Sequence, residues 1–225
     1  MRAISLFALA ALTLPHAHAD AVLADIMAKE FVSPQVAFDV EFLHEDQTIE
    51  AEVDATRPEG ERMIVTSPDA SEWPENFDAI LERMDKNAEG AIWCDEFLDA
   101  VPEKVDRIEG ADGLATYVFT PEPEIGADGS ERKLFEKLVA TLVVEPDSLT
   151  VQSYQLHLPE PTKPHFLAKI ETFSLFVECQ PHESGNSHFK RFDMDIVGSA
   201  MGNSFDQMER RRVANLRPAA FPTTN

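Results

Sequence analysis

The stretch VAFDVEFLHEDQTIEAEVD, residues 36–54, decides the fold class. Val36, Phe38, Val40 and Phe42 alternate with Ala37, Asp39 and Glu41, and Ile49, Ala51 and Val53 alternate with Glu50, Glu52 and Asp54. A period of two belongs to strands, because alternate side chains then share one face. The polar residues 44–47 between the two runs form a short turn. The pair therefore predicts an antiparallel hairpin with one apolar and one acidic face.

Downstream the same period recurs. Pro58-Glu59-Gly60 turns the chain into a third strand around residues 62–66. Residues 115–120 form another, followed by a loop over 121–130 with an Asp128-Gly129 turn. Leu138, Ala140, Leu142 and Val144 face one way, Pro146-Asp147 reverses the chain, and Tyr154, Leu156 and Leu158 face one way on the return. Pro159, Pro161 and Pro164 mark an extended crossing. Between residues 166 and 179 the apolar phase runs 166, 168, 170 and then 173, 175, 177, which predicts a bulge near Glu171-Thr172. Residues 188–197 add a strand with Phe192, Met194 and Ile196 inward. Residues 203–216 fit neither period, with Phe205, Met208 and Leu216 irregularly spaced.

Two segments follow a 3.6-residue period instead. In residues 20–31 the apolar stripe is Val22, Leu23, Ile26, Met27 and Phe31, ended by Ser33-Pro34. In the second, Phe77, Ile80, Leu81 and Met84 form the stripe, with Ser71 as its cap, Pro74 in its first turn and Gly90 beyond its end. Repeats and linkers are lacking, so residues 20–225 read as a single domain. Its class is α+β, mostly antiparallel β: a curved half-open barrel meander covered by helices. Folds of this kind commonly hold an apolar ligand between sheet and helices. Phe38, Val40 and Phe42 on the sheet and Phe77, Ile80, Leu81 and Met84 on the helix are the candidate cavity residues.

Upstream of the domain, residues 1–19 read as a cleavable secretory signal. Arg2 supplies the positive start, residues 4–14 an apolar run, Pro15 a break, and Ala17-His18-Ala19 the small-x-small pattern that precedes cleavage between Ala19 and Asp20. Asp20, not a cysteine, stands directly after the cleavage point, and no later run approaches the length of a membrane span. The expectation is a free, soluble periplasmic protein without stable membrane insertion. The formal net charge is −22. Such a surface repels nucleic acid phosphates and anionic headgroups, so nucleic acid is excluded as a partner class.

Cys94 and Cys179 are the only cysteines. In an oxidising compartment a disulfide is the first reading. Free thiols are a second, and a third is a zinc site from Cys179, His182 and His188 in C-x2-H-x5-H spacing. No cofactor motif is present. Asp193 and Asp195 stand i, i+2 on one strand, a spacing that permits acid–base work but also suits an outward polar face. A hydrolase would have to gather these acids with histidines such as His157 and His165. The run Arg210-Arg211-Arg212 is the one basic cluster and is expected to pair with neighbouring carboxylates.

Three segments add a resemblance: Val53-Asp54-Ala55-Thr56-Arg57-Pro58-Glu59-Gly60-Glu61-Arg62, the turn over residues 144–148, and Pro161-Thr162-Lys163-Pro164-His165-Phe166 leading into Lys169-Ile170-Glu171-Thr172-Phe173. With the order of elements, they resemble a group of exported proteobacterial proteins that share the fold of LolA/LolB-type lipoprotein carriers. The resemblance implies an apolar concavity that takes lipid or lipoprotein acyl chains, without catalysis. It also implies an arginine lining the barrel, for which Arg57 and Arg62 are the candidates. An envelope structural or protein-interaction module without a ligand is the alternative.

Overall fold

In the computed structural model the alternation of residues 36–54 becomes β1 (Val36–His44) and β2 (Gln47–Asp54). They pair antiparallel, with Phe38 opposite Val53, Val40 opposite Ala51 and Phe42 opposite Ile49. The structure describes residues 20–31, 34–44, 47–73, 77–86, 92–103, 105–109, 113–123 and 126–219. The signal segment with Ala19, together with Ser33, Pro74 and Gly90, lies outside the described residues, as do the side chains of Ile80 and Met84.

The remaining strands are β3 (Met63–Ser67), β4 (Arg107–Glu109), β5 (Ala115–Phe119), β6 (Val139–Glu145), β7 (Thr150–His157), β8 (Thr162–His165), β9 (Ala168–Pro181), β10 (Ser187–Ala200) and β11 (Asn203–Pro218). They join one antiparallel, open sheet in the order β3-β2-β1-β11-β10-β9-β7-β6-β5-β4, with β8 paired to β9 beyond the end of β7. Thus β11 crosses back to β1 and joins the two ends of the described chain at the centre of the sheet.

The foreseen bulge is present. Val197 stands opposite Thr172 and Gly198 opposite Ile170, which leaves Glu171 as the extra residue. A second irregularity leaves Lys190 between the pairs Phe189–Cys179 and Arg191–Glu178. Bulges add local twist and bend to a long ladder. Inner-face residues of β1, β2, β5, β6 and β7 belong to one buried cluster with Leu23, Ile26, Phe77 and Cys94. The helical segments therefore cover one face of the sheet.

Several local expectations are corrected. The first helix, α1 (Ala21–Ala28), begins at a capping bond from the Val22 amide to Asp20 Oδ1 of 2.8 Å. It stops before Phe31. Leu23 and Ile26 are buried, but Met27 is exposed within the helix, and Phe31 is exposed beyond its end, where the last turn that would seat it is not helical. Ser71 lies within a 3-10 turn, Ala70–Glu72, ahead of α2 (Phe77–Lys86), and caps no helix among the described residues. Asp128 is not a turn residue but the N-cap of α3 (Gly129–Phe135), accepting from the Ser130 and Glu131 amides. The stretch that matched no period is the longest strand, β11, with 16 residues. An unforeseen 3-10 helix, Cys94–Ala100, packs onto the inner face, where Phe97 stacks on Tyr154 at 4.4 Å between ring centroids.

Candidate functional site

The inner face divides into a sealed part and a partly open part. Beneath α1 and the 3-10 helix, Tyr117, Leu142, Val144, Val151, Tyr154 and Val177 are buried. Along the first half of β9 and the second half of β10, the same face carries Phe173, Leu175, Met194 and Ile196, all only half-buried. Cross-strand pairing sets them beside one another, Leu175 opposite Met194 and Phe173 opposite Ile196. Phe205 on β11 continues the row opposite Gly198. A Cβ on Gly198 would lie 2.7 Å from the Phe205 ring and closer still to the Lys169 carbonyl oxygen. Glycine here leaves room for the ring against the strand.

One polar pair enters this apolar row. Arg211 faces inward between Phe42 and Phe192, its cross-strand neighbours on β1 and β10. Its guanidinium carbon lies 5.0 Å from the Phe192 ring centroid and 5.9 Å from that of Phe42, within cation–π range. Glu209, two residues earlier on the same face, accepts its hydrogen bond. The side chains are 15% and 25% exposed, so the pair sits at the margin between the sealed and open parts. Period-two geometry sends Arg210 and Arg212 to the other face. The basic cluster is therefore split by the sheet.

On that outer face the expected arginine–carboxylate pairing is present. Arg210 holds both oxygens of Asp195, at 2.8 and 2.9 Å, and Arg212 donates to Asp193 at 2.8 Å. Arg191 also binds Asp193. Burial opposes ionisation of Asp193, but the bonds from Arg191 and Arg212 and their charges hold its carboxyl below the usual range. Asp193 is thereby a fixed anion and a poor proton shuttle. Ser174 stands between His157 and Asp195 in adjacent strands, yet no hydrogen bond joins the three among the described residues. His165 is exposed on β8. The geometry does not gather a hydrolytic site around these residues. Further along, a polar groove of about 650 Å³ runs over Asp39, Glu41, Glu50, Glu52, Arg212 and Arg217.

The sequence-derived cavity residues lie deeper than the open row. Phe38, Val40 and Phe42 are buried in the core. Phe77 is buried edge-on against Phe42, at 6.4 Å, and Trp73, at 5.6 Å, while Leu81 is half-buried beside the same cluster. Arg57 pairs with Glu52 and Asp54 around the β2–β3 turn, and the Arg62 Nε donates to the Arg57 carbonyl. Two strand arginines share the inner face instead: Arg107 on β4, opposite Tyr117 and paired with Asp20 at 3.7 Å, and Arg211 beside the open row.

Cys94 and Cys179 form a disulfide, with their Cα atoms 6.3 Å apart. The zinc alternative loses its sulfur ligand, and among the described residues no group of three or more His, Cys, Asp or Glu could hold a metal. His182 and His188 remain neighbours, ring centroids 6.3 Å apart. Burial, with His182 as a second cause, pushes the His188 imidazole down to about 4. Among the described residues, no helix is long and apolar enough to cross a membrane.

Sequence reasoning missed Arg211, Glu209 and Phe205. A strict period-two reading of residues 205–213 would have set Phe205, Arg211 and Val213 on one face, but the charges disguise it as an outer one. A scan against family models, a search of curated proteins and a search of solved structures each find no match for the chain.

Proposed function

We propose that this chain is an exported, non-catalytic binding protein whose partly open inner face receives an apolar chain, such as a lipid acyl tail. One observation carries the reading: Phe173, Leu175, Met194, Ile196 and Phe205 stay half-buried, whereas the inner-face apolar residues of β1, β2, β5, β6 and β7 are buried. Water-exposed apolar surface on the inside of a curved sheet is costly unless something covers it. An acyl chain lying there would contribute roughly 0.8 kcal/mol for each methylene removed from water. Arg211 at the margin offers a cation to a carboxylate or phosphate at the chain's polar end, once it exchanges Glu209 for the ligand.

The Cys94–Cys179 bond fits an oxidising compartment and so supports the export reading of residues 1–19. Lipoprotein acyl chains, which the resemblance to the carriers implies, are one member of the ligand class. The test is native mass spectrometry of gently purified protein, followed by titration with a fluorescent fatty acid. Co-purified lipid, or saturable binding weakened by Leu175→Trp, supports the proposal. A consistently empty protein that binds no fatty acid rejects it.

A further inference from the structure

The two most exposed large apolar side chains among the described residues sit side by side at one end of the sheet. Phe166 is 83% exposed at the tip between β8 and β9, and Met201 is 78% exposed at the tip between β10 and β11. Leu167, next to Phe166, is 44% exposed. The tips are held together, since the Met201 amide donates to the Leu167 carbonyl at 2.8 Å. Register places them at the same edge, with Ala200 opposite Ala168 and Ser199 opposite Lys169.

Backbone and charge both single out this end. Met201 and Gly202 take φ of 53° and 86° between the paired Ala200 and Asn203, a two-residue hairpin turn with both central residues left-handed. Asparagine or aspartate normally fills the first position, and a methionine there is sterically disfavoured. A solvent-facing apolar residue kept in a disfavoured conformation points to a use for its side chain. Residues 162–170 and 196–205 contain no Asp or Glu, although the chain has 41. Lys163, His165 and Lys169 flank the apolar tip, Lys169 being paired with Glu171 at 2.8 Å. Beside β8, α3 presents Arg132 and Lys133 from its last turn, along with Glu131.

We propose that the paired hairpin tips Phe166-Leu167 and Met201 form a wedge that seats the protein reversibly on a bilayer surface. Aromatic and aliphatic side chains enter the headgroup boundary while the flanking lysines remain among the headgroups. The acidic remainder faces away, because anionic headgroups repel it. A protruding tip suits a soft, deformable partner better than a folded protein surface, which would need a matching pocket. The open row at Ile196 and Phe205 lies on the strands that lead to these tips, but the wedge requires no ligand in it.

The test is flotation of the full-length mature protein with phosphatidylcholine vesicles, with and without phosphatidylglycerol. Wild type floats with vesicles, and Phe166→Ser/Met201→Ser loses about tenfold in partitioning while its thermal unfolding is unchanged. Ile108→Ser removes a side chain 53% exposed on β4 and leaves flotation unaltered. Wild type that stays below both vesicle types overturns the proposal. So does a tip variant that floats as well as wild type, or an Ile108 variant that loses as much. Self-association that the tip variant abolishes, without vesicle binding, also overturns it in favour of a protein partner. A protein that floats yet binds no fatty acid keeps the wedge and loses the ligand.

Discussion

At the residue scale, the most informative side chain is one that composition disguised. Arg210, Arg211 and Arg212 read as a single basic run, but a strand separates neighbours onto opposite faces, and only Arg211 meets Phe42 and Phe192. Its ion pair with Glu209 is mostly withdrawn from water, so removing one partner leaves the other poorly solvated. Arg211→Met should therefore destabilise the fold by about 1–3 kcal/mol, and Arg211→Met/Glu209→Gln by less than the single change. Urea unfolding of the four members of this cycle measures it. A second residue effect is steric. Gly198→Ala should cost about 1–3 kcal/mol, because the new methyl meets the Phe205 ring and the Lys169 carbonyl. Phe205→Leu in the same chain should restore only part of that loss, since the carbonyl cannot withdraw. Unfolding midpoints of both variants against wild type decide the matter.

Elements were legible where packing imposed one period on many residues. The alternations at 36–54 and 138–144 each bury a continuous apolar row, and both became strands. Even the bulge at Glu171 left a trace, because an inserted residue shifts the apolar phase by one. What stayed hidden were elements held by other means. The strand β11 has an inner face of mixed polarity, and the 3-10 helix after Trp93 is fixed by long-range contacts. These include the disulfide, the Phe97–Tyr154 stack and the bond from the Phe189 amide to the Ile92 carbonyl at 2.8 Å. The disulfide spans a separation of 85 residues and ties this helix to β9. Closing so long a loop restricts the unfolded chain, and the loop-entropy relation gives about 4–5 kcal/mol. Cys94→Ala/Cys179→Ala should lose stabilisation of that order, read by urea unfolding without reductant. An unchanged free energy would mean that the anchoring contacts suffice without the bond.

At the scale of the whole molecule, sequence revealed the faces of the strands that alternate cleanly, but neither β4 and β11 as strands nor that β11 would lie between β10 and β1. That pairing joins segments far apart in the chain, and no local pattern encodes it. The resulting sheet also determines where titrating groups meet, which makes stability against pH a property of the assembled fold. His188 on β10 is 7% exposed, bridged to Trp93 and set against His182, and its imidazole is pushed from 6.5 down to about 4. The unfolded chain therefore binds a proton that the folded chain refuses as pH falls from 6.5 towards 4. Stability is full above the unfolded value and declines through that window, by on the order of 2–3 kcal/mol. Asp95 and Glu96 act the other way. Burial raises both carboxyls, with Asp99 adding to the shift at Glu96, so the folded state takes up their protons first and gains stability as pH falls. Asp39 and Asp193 are held low in the folded state, so their contribution is present above the usual carboxyl value and is lost only at lower pH. Wild type and His188→Gln separate these contributions. Between about pH 7 and about pH 4.5 the wild-type unfolding free energy should fall, while the variant, weaker at neutral pH, should show a flat or rising profile. Parallel profiles for the two proteins would place the acid sensitivity elsewhere than in the buried imidazole.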